Sequence, residues 1–166
     1  MWIVGMMGSG KTTAGRLAAQ ELGIRFSDTD EIVVERMGCS IAQFWGERGE
    51  AAFREIEKVA MAGVASRDGV KVTGGGAVLD ESNRAVLSKS PRVVWLRAEP
   101  ETLVKRMGDR QERPLVAGNE RPHVEVIAEI LRQRTDFYDE VATDRVDTDG
   151  LDVVGVADAL GGIWRS

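Results

Sequence analysis

Short apolar, partly β-branched runs punctuate this chain, separated by longer stretches in which apolar positions recur every three or four residues. The runs at 2–4, 25–27, 69–73, 92–96 and 145–148 read as strands, and the stretches between them carry the helical period. Helices are expected over 13–22, closed by Gly23, and over 31–37, closed by Gly38. A capping box at Ser40-Ile41-Ala42-Gln43 opens another through Phe44 and Trp45, and a turn at 46–49 leads into a helix over 50–65. In that helix Phe53, Ile56, Ala60 and Val64 form the inward stripe. Further helices are expected over 80–87, from Pro100 to Met107, over 124–141, and from an Asp152 cap through Trp164. The 124–141 helix should turn Ile127, Ile130, Leu131 and Phe137 inward, leaving Arg132 and Arg134 elsewhere. Strand and helix alternating in this way predict an α/β fold: a parallel sheet of five strands with helices on both faces. Residues 108–122 break the periodicity, and no internal repeat interrupts the pattern.

Directly after the first strand, Gly5-Met6-Met7-Gly8-Ser9-Gly10-Lys11-Thr12 fills every fixed position of the G-x-x-x-x-G-K-[ST] phosphate loop. Glycines let backbone N–H groups turn inward around a polyphosphate, and the following helix points its positive end at the same anion. Lys11 neutralises the outer phosphates and the Thr12 hydroxyl is suited to Mg²⁺. Asp28-Thr29-Asp30 stands at the carboxyl end of the second strand, the edge where open parallel sheets bind ligands. One of these two aspartates can cap the following helix; the other is then left for metal or substrate. Gly74-Gly75-Gly76 falls at the end of the third strand, where close backbone approach to a ligand explains it better than a linker does. Arg54 and Glu57 are three apart. They are either a surface pair worth under ~1 kcal/mol, which spacing favours, or a guanidinium held in place for a substrate carboxylate. The aperiodic segment around Arg113 is either a solvated loop or a lid whose arginine stabilises a transferring phosphoryl group.

Composition narrows the partners. The chain has 166 residues, the length of one domain (1–166), with 43% hydrophobic and 30% charged residues. A net charge of −5 argues against a nucleic-acid or membrane-surface partner, so anions must be caught locally. With no signal-peptide pattern and no apolar run of spanning length, a cytoplasmic protein is expected. Cys39, the only cysteine, is expected to be a small buried thiol, and the single His123 to have a surface or capping role.

Six segments in order resemble the shikimate kinase family, within the nucleoside-monophosphate-kinase-like small P-loop kinases. They are the phosphate loop through Thr13, Asp28-Thr29-Asp30, Phe53-Arg54-x-x-Glu57, Gly74-Gly75-Gly76-Ala77-Val78, Arg113-Pro114-Leu115 and Arg134-x-x-x-Tyr138. The resemblance implies a three-layer α/β/α kinase with substrate-binding helices at about 31–60 and a lid at about 108–122. It implies ATP-dependent phosphorylation of the 3-hydroxyl of shikimate by a monomer. Lys11, Asp30 and Arg113 are then catalytic. ATP is bound by Gly8, Ser9, Gly10, Lys11, Thr12, Thr13, Arg106 and Arg113. Shikimate is bound by Asp30, Gly75, Gly76 and a carboxylate clamp of Arg54 and Arg134. Mg²⁺ is held by Thr12 and, through water, Asp28. Trp45 departs from the family pattern, where a smaller aromatic is expected. The stretch after Asp147-Thr148-Asp149 also departs, lacking the basic residue and Pro that often follow. A gluconate kinase would share the phosphate loop but not the Asp30, Arg54, Arg134 and triple-glycine set. A guanine-nucleotide switch is disfavoured by the absence of N-K-x-D. A non-catalytic nucleotide-binding paralogue is disfavoured because Lys11, Thr12, Asp28 and Asp30 are all present.

Overall fold

The computed structural model describes residues 1–108 and 121–166. Five strands, β1 (Trp2–Val4), β2 (Phe26–Asp28), β3 (Val70–Val72), β4 (Val93–Arg97) and β5 (Asp144–Asp147), pair in parallel in the order β2-β3-β1-β4-β5. Among the described residues seven helices accompany them: α1 (Lys11–Leu22), α2 (Thr29–Met37), α3 (Ile41–Ala65), α4 (Glu81–Leu87), α5 (Pro100–Met107), α6 (His123–Val141) and α7 (Val153–Arg165). A 3-10 turn at Ala77–Leu79, not foreseen from periodicity, follows β3.

The centre of the sheet is set by β1. Its Ile3 lies opposite Val72 of β3 and Val94 of β4, and none of its three residues is more than 1% exposed. Because side chains alternate along a strand, β1 feeds two cores. Ile3 joins Val72, Val94 and Leu96 beneath Ala14 and Ala18 of α1 and Leu160 of α7. Trp2 and Val4 join Trp95 on the other face, against Met61, Leu87, Leu103, Ile127 and Tyr138. A fully buried side chain of this kind contributes roughly 1.5–3 kcal/mol, so both helical layers are held by the residues that make the strands apolar. A third, smaller cluster of Val33, Phe53 and Ala60, flanked by Phe44 and Trp45, ties α2 to α3.

Three local expectations are corrected. The two helices expected on either side of a 46–49 turn run together as α3 and meet at a kink at Gly49, whose backbone is non-helical (φ 81°, ψ 168°), so the expected turn is reduced to that one residue. Cys39 is half-buried rather than buried, since it sits in the short connection between the α2 C-cap Gly38 and the α3 N-cap Ser40. Arg134 is on the inner face of α6, 4% exposed, in line with Ile127, Ile130, Tyr138 and Val141. His123 opens α6 and is exposed, as expected.

Candidate active site

The phosphate loop joins β1 to α1. Gly10, at φ 89°, caps α1 with no side-chain hydrogen bond, so the first N–H groups of the helix keep their donors for an anion. Lys11 is only 8% exposed, and its Nζ donates to the carbonyls of Gly5 (2.8 Å) and Met6 (2.9 Å), which holds the ammonium against the loop. The Thr12 hydroxyl donates to Asp28 Oδ2 at 2.7 Å, while Asp28 Oδ1 accepts from the Asp30 N–H at 2.9 Å. Asp28 is therefore the helix cap of the acidic pair, and its second oxygen reaches the phosphate loop as well. The cap leaves Asp30 in the first turn of α2.

These residues converge. A cavity of about 520 Å³ is lined by the loop from Met7 to Ala14, by Asp30, Thr73 and Gly75, and on its far side by Arg106, Leu151, Val153 and Val156. Ser9 Oγ and Thr73 Oγ1 are buried without a hydrogen-bond partner. Both line this cavity, which gives it polar groups to spend on a ligand. The Arg106 guanidinium is steadied by Thr148 Oγ1 (2.7 Å), Thr148 O (2.6 Å) and Leu151 O (3.3 Å).

The glycine run forms the second half of the site. A Cβ on Gly74 would come within 2.6 Å of Asp30 Oδ1 and 2.9 Å of Glu57 Oε1; one on Gly76 would come within 2.4 Å of Arg54 Nη2. Only glycine lets this backbone lie so close to those charged groups. The open question about Arg54 and Glu57 is answered by burial. Glu57 is 1% exposed, and Arg54 Nη1 donates to its Oε2 at 2.8 Å, so this is no surface pair. Burial pushes the Glu57 carboxyl pKa up, with Asp30 and Asp80 adding to that rise and Arg54 opposing it. For Arg54 burial acts to lower the pKa, but Glu57 and Glu50 outweigh it and the net shift is upward. Arg134 Nη1 donates to Gly75 O at 3.0 Å, so one arginine bonds to the run while the Arg54 guanidinium packs beside the next glycine, Gly76.

Tyr138 closes the Arg134-x-x-x-Tyr138 segment of the sequence, where it carried no role of its own. Its hydroxyl donates to the same Gly75 carbonyl at 2.6 Å, its ring stacks on Trp95, and burial raises its pKa, which keeps the phenol a proton donor. Its place four residues after Arg134, on the same helical face, was the available signal. Downstream of the run, Asn83 Nδ2 donates to Ala77 O at 3.0 Å, and Asp80 caps α4 while pairing with Lys58 of α3 at 3.0 Å. Burial acts to raise the Asp80 pKa, but bonds from Ser82, Lys58 and the Ser82 and Asn83 N–H groups bring it down to about 2. A depressed carboxylate stabilises the fold above its unfolded value and loses that contribution as pH falls from about 4 toward 2. Asparagine caps equally well but cannot titrate. Chemical unfolding across that range is therefore expected to show the gap between the wild type and Asp80→Asn closing as pH drops; a constant gap would contradict it.

Of the residues expected from the motifs, Lys11, Thr12, Thr13, Asp30, Gly75 and Arg106 share one cavity, while Arg54, Gly76 and Arg134 lie along the adjoining glycine run. Arg113 and most of the expected lid at 108–122 lie outside the described residues. Among the described residues no helix is long and apolar enough to cross a membrane.

A parallel sheet in the order 2-3-1-4-5, a phosphate loop after its central strand, and an acidic residue and buried arginine beside that loop define a small-molecule kinase of the P-loop class. A family model described as shikimate kinase matches residues 7–160. The shikimate kinase of Moorella thermoacetica is 46% identical over 156 residues, covering 93% of this chain and 88% of that one. That of Streptomyces coelicolor is 44% identical over 149 residues, covering 89% and 85%. The structure of the Acinetobacter baumannii shikimate kinase in complex with shikimate superposes with a TM-score of 0.92 at 32% identity, covering 99% of this chain and 91% of that one. The chain belongs to the shikimate kinase family: it is a transferase of the shikimate pathway that takes its phosphoryl group from ATP.

Proposed function

We propose that the phosphate-loop cavity of this chain binds ATP, that the glycine run binds shikimate, and that the γ-phosphoryl group passes between them to the 3-hydroxyl. The observation that carries the acceptor half is the Arg54–Glu57 pair seated on Gly76 beside Asp30. A half-buried guanidinium held by a 1%-exposed carboxylate is already oriented, so it binds an acid with little further loss of side-chain freedom. Arg134, anchored on Gly75, is the second arm of the clamp. Asp30 accepts the hydrogen bond of the attacking hydroxyl and takes up its proton. The hydroxyl oxygen bonds to the γ-phosphorus as the bond from phosphorus to the bridging oxygen of ADP breaks. Lys11 and the N–H groups of Gly8, Ser9, Gly10, Thr12 and Thr13 offset charge on the phosphates. The face of Arg106 packs on the base, and Arg113 adds positive charge from the lid. Because the transition state is loose, positioning and charge stabilisation carry most of the rate.

Mg²⁺ fits the donors present. Thr12 Oγ1 and Asp28 Oδ2 are hard oxygens 2.7 Å apart at the phosphate loop. Among the described residues no cluster of three or more acidic, His or Cys side chains forms a metal cage. Magnesium characteristically takes one or two protein oxygens together with phosphate and water. Thr12 would hold it directly and Asp28 through water; when bound, it neutralises charge on the β- and γ-phosphates. We take residues 1–166 as one kinase domain, with its acceptor-binding helices at about 31–60 and its lid at about 108–122, acting as a cytoplasmic monomer.

ADP release measured with shikimate, quinate and gluconate in turn tests the acceptor. Turnover is expected with shikimate, and turnover confined to gluconate would overturn the assignment.

A further inference from the structure

Arg54 already holds a second carboxylate. Its Nε donates to Glu50 Oε1 at 3.2 Å and its Nη2 to the same oxygen at 2.9 Å. Its Nη1 is committed to Glu57, and its Nη tips lie against Gly76. Trp45 and Phe53 close the flanks, with ring centroids 5.5 and 5.3 Å from the guanidinium carbon. A guanidinium binds a carboxylate best through two parallel N–H groups on one edge. The end edge faces the glycine backbone, so an incoming acid needs the Nε–Nη2 edge, and Glu50 is on it.

The two glutamates are not equivalent. The Glu57 side chain is 1% exposed, whereas that of Glu50 is 50% exposed. Breaking the buried pair leaves a charge without compensation. Breaking the exposed one returns Glu50 to water at small cost. Glu50 also follows directly on Gly49, the non-helical point within α3, so its backbone can reorient without unwinding the helix behind it.

We infer that Glu50 is a surrogate for the substrate's carboxylate: it occupies the Arg54 edge until the acid displaces it. The inference rests on the reading that Arg54 binds the acid. The exchange keeps the guanidinium matched to a carboxylate with and without substrate. It also makes the site selective by class, because a neutral polyol has no charge with which to compete against Glu50 and only an organic anion can replace it.

Calorimetric titration of the purified chain with shikimate, alongside steady-state kinetics, tests this with three variants. Glu50→Gln is expected to tighten shikimate binding about two- to five-fold, the range set by loss of an exposed ion-pair competitor, with the KM for ATP unmoved. Glu47→Gln removes the same charge three residues away, on the other side of Gly49. It is expected to change nothing, because Glu47 is bonded to Gln43 and not to Arg54. Arg54→Lys is expected to raise the shikimate KM at least about tenfold, since an ammonium has no fork. Weaker or unchanged shikimate binding in Glu50→Gln, with Arg54→Lys still impaired, would show Glu50 to be a structural support for Arg54 and overturn the inference alone. An equal gain in Glu47→Gln would do so too, by assigning the effect to bulk charge. No response to Arg54→Lys would instead remove the reading of Arg54 on which the inference stands.

Discussion

Asp30→Asn is expected to lower kcat by about 10²–10⁴-fold, the range for loss of a positioned general base, while ATP still binds. Asparagine keeps the shape of the side chain but can neither take up a proton nor carry charge. The position leaves little room for compensation. Asp30 lies in the first turn of α2, is held there by the Asp28 cap, and borders both the nucleotide cavity and Gly74. A water recruited in its place would have to fit beside a glycine whose own Cβ the site excludes. Single-turnover ADP formation with a parallel measurement of ATP binding separates chemistry from affinity. Turnover within tenfold of wild type would reduce Asp30 to an orienting hydrogen-bond acceptor.

Lys11→Met is expected to lower turnover by about 10²–10³-fold, the scale of removing one preorganised electrostatic donor, and to weaken ATP binding as well. Methionine fills the buried space of the lysine stem, so the fold should survive. What disappears is the ammonium that bonds to the Gly5 and Met6 carbonyls and presents charge to the loop. Thermal unfolding checks the first point and ADP release the second. A variant that folds and turns over normally would contradict the assignment of the loop as the phosphate site.

The layers of this fold were legible because its three central strands, β3, β1 and β4, are buried almost throughout. Trp2–Val4 and Val93–Arg97 read as apolar runs for the same reason that they pack on both faces. Boundaries moved by a residue or two, as when Lys11 rather than Thr13 opened α1, because the glycine loop passes into the helix without a side-chain cap to mark the join. The kink at Gly49 was visible as a glycine; that helix runs up to it and begins again directly after it was not, and the packing of Phe53 on Trp45 spans the kink. In the site, the phosphate loop and acidic pair announced themselves by local spacing. The roles of Arg54 and Arg134 did not, since an arginine on a helix reads as solvent-facing until something buried is found to receive it. For Arg54 the receiver is Glu57 and for Arg134 it is the Gly75 carbonyl, 59 positions away in the chain. The 3-10 turn after the glycine run is held by Asn83 and Arg84 bonding to its carbonyls, contacts no periodicity encodes.

The strand order has a consequence for how far apart the two substrates lie. The phosphate loop leaves the end of β1, the glycine run leaves β3, and Asp30 follows β2; these three strands are consecutive neighbours in the sheet. Parallel strands repeat every 4.7–4.9 Å, so the sheet is a ruler on which the glycine run stands roughly 5 Å and the Asp30 strand roughly 10 Å from the strand that carries the phosphate loop. That interval is set by backbone hydrogen bonds, not by any side chain in the site. Helices and connecting loops can therefore drift in sequence without changing the gauge across which the phosphoryl group must travel.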